Sequence, residues 1–369
     1  MLRSVFLSLF FLIPLMFYAQ DSDSLYSEAE KKTLLDLSPL QISGQWFLAY
    51  KYNNIPGNRT SLFTLKRGYL TFRQPLNEHF SVRFTQDITL DEEGEDAGNI
   101  ELRLKYCYLN IDLKKILFLH QSNLEIGLVH RPWIDFEQKV NRYRVQGRMY
   151  AEKVNLFNSA DFGITYSGLI GGVISENYQN NVNSNYPGKY GSFMIGIYNG
   201  PGYHAIEQNR SKTIESRITI RPLPEYVPGL QISYSNIYGE ANNIYHSDFT
   251  FNNIFISSES RYHALTGQYY FGKGDSQGFY SDSTGKSHKN NGYSVFGEVK
   301  TLKKYLCVFG RYDYFLSNNE NNYINETIIF GLSSYFYRQS KVVADIEINK
   351  DSFLNRWQQF YEVAVEIIF

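Results

Sequence analysis

Apolar and polar side chains alternate along most of the chain from Leu40 onward. In residues 79–89, HFSVRFTQDIT, almost every second side chain is apolar and those between are polar or charged. Residues 213–221, 341–349 and 358–369 repeat the alternation. Because successive side chains of a β-strand point to opposite faces, this period predicts strands with one apolar and one polar face.

Residues 99–108, NIELRLKYCY, give the same prediction. Glu101, Arg103 and Lys105 fall on one face. Such a strand needs an apolar environment on one side and a polar environment on the other. Its apolar face is predicted to consist of Ile100, Leu102, Leu104, Tyr106 and Tyr108.

The length of these strands distinguishes a membrane barrel from a soluble β-sandwich, which also alternates. Strands of soluble sheets usually contain about 5 to 6 residues. The alternating stretches here contain about 10 to 14, which suits a tilted strand that crosses a bilayer. Tyrosines near the predicted strand ends match the aromatic girdles of membrane barrels: Tyr50, Tyr52, Tyr269, Tyr270, Tyr312, Tyr314, Tyr335 and Tyr337.

Counting strands from both ends of the chain predicts about 16 strands. The connections are expected to alternate between short and long, with 53–61, 91–99 and 134–159 among the long ones outside the membrane. The two counts agree only when a weakly alternating stretch, 244–257, is taken as one more strand. The prediction is an all-β fold: a closed transmembrane antiparallel β-barrel over residues 39–369, in the outer membrane of a Gram-negative bacterium.

The first part of the chain precedes this pattern. Residues 1–19 combine an early positive charge, Arg3, an apolar stretch and a small residue, Ala19, which is the layout of a secretory signal peptide. An N-terminal membrane anchor is the alternative, but the apolar stretch is short for a spanning helix. Residues 20–38 are predicted to form a short periplasmic segment.

Composition and motifs argue against several classes of function. Lysine and arginine number 36 against 37 aspartate and glutamate, so nothing favours nucleic acid as a partner. Cys107 and Cys307 fall in strands predicted on opposite walls and are expected to be free thiols. No metal-ligand spacing, phosphate loop or nucleophile elbow occurs, so neither a cofactor nor an enzyme is predicted. A barrel-embedded hydrolase with a spatially assembled Ser/His pair is a remaining alternative.

Residues 131–159, hereafter the long loop, carry six basic side chains against Asp135, Glu137 and Glu152. A loop that folds into a wide barrel narrows the lumen, where low-dielectric walls strengthen the effect of fixed charge on an ion. One interpretation is an anion-attracting constriction, and the other is a solvated outside loop whose charges face water. The predicted constriction residues are Arg131, Lys139, Arg142, Arg144, Arg148 and Lys153.

The polar faces of the strands predict the charges of the lumen wall. Basic and acidic side chains are equal in number, with most basic ones early in the chain and most acidic ones late. This arrangement predicts a crosswise field and leaves selectivity to the constriction. The basic residues are Arg67, Arg73, Arg83, Arg103, Lys105, Arg131, Arg217, Arg221 and Arg311, and the acidic ones are Asp87, Glu101, Glu125, Glu215, Asp313, Asp345, Glu347, Glu362 and Glu366.

The long loop and its flanks resemble the phosphate-selective porin O and P family. The likeness rests on LEIGLVHRPW, YAEKVNLFNSADFGITYSG, FMIGIYNGPG and RITIRPLP, and it continues weakly through GYSVFGEVKT and GRYDYF. The likeness covers most of residues 40–369, and it consists more of similar spacing between residues than of exactly matching motifs. The resemblance implies a 16-stranded, often trimeric channel with an inward-folded third loop and, in founding members, anion selectivity through basic lumen residues. The residues in the matching segment are Arg131, Arg142, Arg144, Arg148 and Lys153.

These observations together predict an outer-membrane porin for passive diffusion of small hydrophilic solutes, with a preference for anions such as phosphate. The expected partners are outer-membrane lipid, small solutes or anions, the outer-membrane assembly machinery and, as one assembly, a homotrimer. The alternative is a structural or surface-interaction barrel with a blocked lumen. Its outside loops, such as 175–190, would then contact partners.

The last strand ends at an aromatic residue, Phe369. Glu362 and Glu366 are predicted to face the lumen, with the apolar side chains of this strand toward lipid. A terminal aromatic residue at this place resembles the signal that the outer-membrane assembly machinery reads. Phe369 is therefore predicted to be an assembly signal.

Overall fold

Sixteen antiparallel strands form a closed barrel in the computed structural model, which describes residues 39–91, 97–301, 306–319, 322–352 and 356–369. Each strand pairs with its neighbours in the chain, and β1 pairs with β16 from Gln45 opposite Ile368 to Asn54 opposite Gln359. The predicted fold class is confirmed. The predicted signal peptide and periplasmic segment lie outside the described residues.

The strands contain between 8 and 18 residues. The weakly alternating stretch that the strand count required is confirmed as a strand, β10. The strands are β1 (Gln41–Ile55), β2 (Asn58–Pro75), β3 (Phe80–Leu90), β4 (Ile100–Ile116), β5 (Leu119–His130), β6 (Ala160–Ile170), β7 (Gly191–Tyr198), β8 (Thr213–Ile220), β9 (Leu230–Glu240), β10 (Asp248–Glu259), β11 (His263–Lys273), β12 (Lys289–Lys300), β13 (Cys307–Ser317), β14 (Tyr323–Tyr337), β15 (Ser340–Asp351) and β16 (Arg356–Ile368).

Alternation places apolar side chains on the outside of the barrel. On β8, Ile214, Ile218 and Ile220 point outward and are 49%, 46% and 50% exposed. A closed barrel satisfies the backbone hydrogen bonds of every strand, and an apolar outer surface suits hydrocarbon. The chain is therefore an outer-membrane barrel. None of the helices in the described ranges has the length and apolar character needed to cross a membrane.

A β-bulge on β4 changes which side chains face inward. Thr85 pairs with Tyr106 and Gln86 pairs with Leu104, so Lys105 has no partner in the ladder. An extra residue in one strand shifts the alternation beyond it by one position. Glu101, Arg103 and Lys105 point inward as predicted, but so do Tyr106 and Tyr108, which are buried. The prediction that these two tyrosines belong to the apolar outer face was wrong.

Not all of the tyrosines predicted near the strand ends belong to the aromatic girdle on the outer face. Tyr50 and Tyr269 are on the outer face, at 41% and 49% exposure. Tyr270 points inward and is fully buried, with its ring stacked on Phe251 at a centroid distance of 4.9 Å. Neighbouring residues of a strand point to opposite faces, so a pair of adjacent tyrosines places only one at the lipid interface.

The two ends of the barrel differ in their connections. We call the end where β1 begins the terminal end, and the opposite one the loop end. The connection predicted to be long at 53–61 is a two-residue turn at Pro56 and Gly57, because β1 and β2 remain paired up to Ile55 opposite Asn58. Residues 175–190 were predicted to be an outside loop. They lie at the terminal end, where β6 ends and β7 begins, and not at the end that carries the long loop.

The described parts of the connections contain three helices: α1 (Pro132–Val140) and α2 (Tyr150–Lys153) in the long loop, and α3 (Glu176–Asn181) between β6 and β7. The long loop folds into the barrel. Its buried apolar side chains pack against inward aromatic residues of the wall, which include Phe249, Phe251, Phe255 and Phe315. The predicted inward fold of this loop is thus present, and a hydrophobic core inside the barrel holds it.

Cys107 and Cys307 are both free thiols, as expected. Cys107 lies on β4 and is exposed, whereas Cys307 begins β13 and is buried. The two strands are seven positions apart around a barrel of sixteen. They therefore lie on nearly opposite walls.

Candidate functional site: the long loop and the basic chamber

A buried ion pair fixes the start of the long loop. Arg131 and Glu215 of β8 are in direct contact and almost completely buried. The Arg131 guanidinium also donates to the carbonyl of Gly200 at 3.3 Å and lies over the Phe157 ring at 4.8 Å. Paired and enclosed in this way, Arg131 is not available to a solute.

Helix α1 begins directly after this pair. Pro132 occupies the first turn, where its missing N–H costs nothing. The Trp133 ring packs edge-on against Phe255 of β10 at a centroid distance of 5.1 Å. Burial favours the neutral form of the Asp135 carboxyl, but His130, Lys139 and a hydrogen bond from Tyr186 outweigh it and lower its pKa. The contact between Trp133 and Phe255 places the apolar side of α1 against the barrel wall.

The tip of the loop reaches the far wall of the barrel. The Tyr143 ring stacks on Phe309 of β13 at 3.9 Å, and its hydroxyl donates to Glu298 at 2.7 Å. Lys66 of β2 donates to the carbonyls of Val145 and Gln146 at 2.5 and 2.8 Å. The loop thus crosses the lumen from β5 to β13, eight positions away around the barrel, and also contacts β2.

The returning half of the loop is held by further ion pairs. Arg144 contacts Glu152 at 3.0 Å, and Lys153 contacts Glu347 of β15 at 2.5 Å. Arg148 is exposed and donates to the side chain of Asn155 at 3.4 Å. These contacts neutralise two of the basic side chains that the sequence assigns to a constriction.

A buried carboxyl lies in the middle of the loop. Glu137 on α1 is 4% exposed and accepts a hydrogen bond of 2.6 Å from the Gln268 side chain. Burial raises the pKa of Glu137 to about 7, although Arg311 opposes the shift. The charged and neutral forms of this side chain are therefore both accessible near neutral pH.

A cavity of about 660 Å³ lies inside the barrel toward the terminal end; we call it the basic chamber. It is lined by β1–β4, the long loop, residues 179–185 and the β14–β15 turn. Among the described residues, its lining contains nine lysine and arginine residues but only two carboxylates, Asp135 and Glu366. The nine are Arg73, Arg83, Lys105, Lys139, Arg142, Arg144, Lys300, Arg338 and Lys341.

Five of these cations have no carboxylate within ion-pairing distance in the described ranges. Arg83 instead contacts the imidazole of His130 at 2.9 Å, and Lys105 donates to the Tyr69 hydroxyl at 3.0 Å. Arg73 and Arg83 are direct partners across β2 and β3. Like charges in that position repel each other, so this wall has a strong positive potential.

Only three of the six predicted constriction residues line the basic chamber. Lys139, Arg142 and Arg144 line the basic chamber. Arg131 is buried at the root of the loop, Lys153 pairs with Glu347, and Arg148 is exposed outside the chamber lining.

The predicted basic wall residues are also spread over separate places. Arg73, Arg83 and Lys105 line the chamber. Arg67 and Arg103 both contact Asp87, at 3.3 and 3.4 Å.

Two other wall arginines are buried under connecting segments. Arg217 lies beneath α1, where it donates to the Pro132 carbonyl at 3.2 Å. Arg221 lies over the Tyr178 ring at 5.0 Å. Neither lines the basic chamber.

Sequence reasoning missed four basic residues that matter in the lumen: Lys66, Lys300, Arg338 and Lys341. Lys341 could have been found, because it shares the inward parity of Asp345 on the same strand. Lys66 is hidden by a register shift opposite Phe47 and Leu48. With Lys300 and Lys341 in the chamber, positive charge from late strands adds to that from early ones. The predicted crosswise division is therefore incomplete.

One serine, one histidine and one carboxylate meet at the loop end. Ser211 Oγ and Glu240 both contact the same imidazole nitrogen, Nδ1 of His246, at 3.3 and 2.7 Å. A serine hydrolase needs the base to bond the serine through one ring nitrogen and the acid through the other. This arrangement lacks that relay.

No family model matches the sequence, and no curated protein matches it significantly. Solved structures do match. An anion-selective porin from Comamonas acidovorans aligns with 11% identity and a TM-score of 0.61, covering 89% of this chain and 99% of that one.

OmpT of Vibrio cholerae, in a trimer form, aligns with 10% identity and a TM-score of 0.58 over 89% and 99% of the two chains. The outer-membrane channel DcaP of Acinetobacter baumannii aligns with 10% identity and a TM-score of 0.56 over 89% and 97%. These likenesses establish the fold. At such low identity they carry no residue of a binding site from one chain to another.

Proposed function

We propose that this protein is an outer-membrane channel through which small hydrophilic solutes diffuse, with a preference for anions. The observation that carries the proposal is the basic chamber, where nine cations face a cavity with only two carboxylates. Fixed positive charge inside low-dielectric walls raises the local concentration of anions. No catalytic step is part of the proposal.

Two finer points belong to the same proposal. Phosphate is the anion that the sequence resemblance suggests, and the chamber cations supply the donors that a phosphate oxygen accepts. A homotrimer, with the terminal end facing the periplasm, is the proposed assembly. One structurally similar protein, OmpT of Vibrio cholerae, is described in a trimer form.

A second candidate is a barrel whose lumen is closed. It is favoured by the long loop, which spans the lumen and is fastened on β13 through Tyr143 and on β2 through Lys66. Purified protein in a planar bilayer under a salt gradient separates the two. A current whose reversal potential has the anion-selective sign is expected, and absence of any current would favour the closed barrel.

A further inference from the structure

The connection between β6 and β7 is the longest at the terminal end. It comprises residues 171–190, hereafter the β6–β7 segment, whereas the other six connections at this end contain two to nine residues. Membrane barrels normally have short turns at this end. The extra length therefore needs a structural explanation.

The segment has a closed neck. Val173 and Gly188 form an isolated antiparallel bridge, and the amide of Ile174 donates to the Pro187 carbonyl at 2.7 Å. The residues between these pairs, including α3, leave and return through that neck. They form a unit that can be removed without changing either flanking strand.

One side chain of this unit is buried against the long loop and the wall at β10, three positions from β7 around the barrel. Asn183 is 6% exposed. Its amide donates to the two carboxylate oxygens of Glu259, on β10, at 3.0 and 3.1 Å, and to the Lys139 carbonyl on α1 at 3.1 Å. Next to it, Arg142 of the long loop donates to the Val182 carbonyl at 2.5 Å. The β6–β7 segment and the long loop thus meet inside the barrel.

A second contact joins the two segments. The hydroxyl of Tyr186 donates to Asp135 on α1, and its ring lies 5.3 Å from Phe136. The guanidinium of Arg217 lies 4.7 Å from the ring centroid on the wall side. Tyr186 has a φ of +48°, an unfavourable backbone conformation that persists where contacts determine it.

The segment also forms one side of the basic chamber. Residues 179–185 line it together with Tyr69 and Arg73 of β2, a strand eight positions from β10 around the barrel. On this side, the segment lies between the chamber and the terminal end of the barrel. The long loop alone therefore does not define the narrow part of the lumen.

We propose that the β6–β7 segment is a plug that enters the lumen from the terminal end and restricts passage of solutes together with the long loop. This proposal rests on the proposed channel function. Asn183 is the residue that fastens the plug, because its amide joins Glu259 of the wall to the backbone of α1.

The main test removes the plug. Residues 175–187 are replaced by Asn-Gly-Thr, which closes a tight two-residue hairpin on the existing neck and supplies the backbone N–H that Pro187 lacks. Single-channel conductance is measured in planar bilayers for the wild-type and shortened chains, after folding has been checked by heat-dependent migration on gels. We expect the conductance to rise by about twofold or more.

A point substitution tests the fastening without shortening the chain. Asn183→Asp places a carboxylate against Glu259 and removes the amide donor, so the plug should loosen and open-state conductance or opening frequency should increase. Asn181→Asp is the matched control. It adds the same charge to the chamber lining at a neighbouring residue that is exposed, and within the described part of the chain the amide of Asn181 bonds only to Asn177 of α3.

The outcomes separate this proposal from the channel function. Higher conductance in the shortened chain and in Asn183→Asp, but not in Asn181→Asp, supports the plug. Equal conductance in all four proteins overturns the plug and leaves the channel function standing. No current in any of them overturns the channel function and the plug with it, whereas current only in the shortened chain supports a channel that the plug keeps closed.

Discussion

Tyr143 at the tip of the long loop stacks on Phe309 of β13, with the ring centroids 3.9 Å apart and the planes inclined by 25°. The hydroxyl of the same tyrosine contacts Glu298 at 2.7 Å and Ser333 at 2.8 Å. One side chain therefore fastens the loop tip to β12, β13 and β14. This contact holds the loop tip against the far wall, while Lys66 holds it against β2.

Replacing Tyr143 by Ala should release the tip of the long loop. Truncation of a buried aromatic residue typically costs about 3–5 kcal/mol, and loss of the loop tip from the wall should widen the lumen. Single-channel conductance should rise. Tyr143→Phe keeps the stack and loses only the hydroxyl contacts, so its conductance should stay close to that of the wild type. Equal conductance for the wild type and the Ala variant would show that the loop is held elsewhere.

Removing charge from the basic chamber should reduce anion preference. Arg73 and Lys139 line the chamber without a carboxylate partner in the described ranges, so Arg73→Gln and Lys139→Gln lower its potential. The reversal potential under a salt gradient should move toward zero in each variant and further in the double variant. Lys115→Gln is the control, because Lys115 is exposed and lies outside the chamber lining. An unchanged potential in the double variant would contradict the role of the chamber.

Breaking the buried pair at the root of the long loop should destabilise the barrel. Arg131→Met leaves the Glu215 carboxylate buried without its partner, which typically costs about 3–5 kcal/mol. The midpoint of urea or thermal unfolding should fall, and a second change, Glu215→Gln, should recover part of the loss. Lys153→Met is the comparison, because its pair with Glu347 is partly exposed, at 19% and 16% of the side chains. Similar losses for both single variants would argue against a special role of burial.

The stability of the loop should depend on pH through Glu137. Its pKa in the folded protein, about 7, is above the ordinary value, so folding favours the protonated form. The stabilisation is complete below the ordinary pKa of a glutamate and is lost as pH rises to about 7 and beyond. Arg311 and Asp313 on β13 and Glu152 on α2 are the charged groups that act on it.

Glu137→Gln replaces this carboxyl by a neutral side chain and should remove that dependence. Near pH 5 the variant and the wild type should unfold at similar temperatures, and near pH 8 the variant should be the more stable of the two. Calorimetry at both pH values provides the measurement. A wild-type midpoint that rises with pH over this range, relative to the variant, would contradict the sign.

Deleting Phe369 should impair assembly. Its backbone pairs with Gly44 through hydrogen bonds of 2.9 and 3.1 Å, and its ring packs edge-on against Trp46 at 5.9 Å. The residue therefore completes the seam between β1 and β16 besides its proposed role as a signal. Yield in the outer-membrane fraction is the readout, with Phe369→Tyr as a control that keeps an aromatic ring. Normal yield of the deletion variant would rule out both roles.

The strands were accessible from the sequence because side-chain direction is a local property. Ile214, Ile218 and Ile220 alternate with polar residues, and the pleat alone assigns them to the outside. Alternation predicted the wrong face for Tyr106, because β4 contains a bulge there. A bulge is defined by how two strands pair, so the sequence of one strand does not reveal it. Alternation failed for the same reason to identify Lys66.

The positions of the connecting segments could be predicted from the sequence only in part. The basic residues of the long loop could be counted from the sequence. The Arg131–Glu215 pair could not be predicted, because it joins two segments that are far apart in the chain and neither segment contains a local pattern for it. The contact between Asn183 and Glu259 spans 76 residues of sequence. Such contacts exist only after the barrel has closed and brought its walls together.

The sequence by itself determined the class of fold, the number of strands and the side of each regular strand that faces lipid, because apolar side chains must alternate to cover a membrane surface. The tertiary structure alone decided which charges are neutralised, which remain in the basic chamber, and which segments enter the lumen from its two ends. Those properties depend on distances between residues far apart in the chain, and a pattern of neighbouring residues does not contain them.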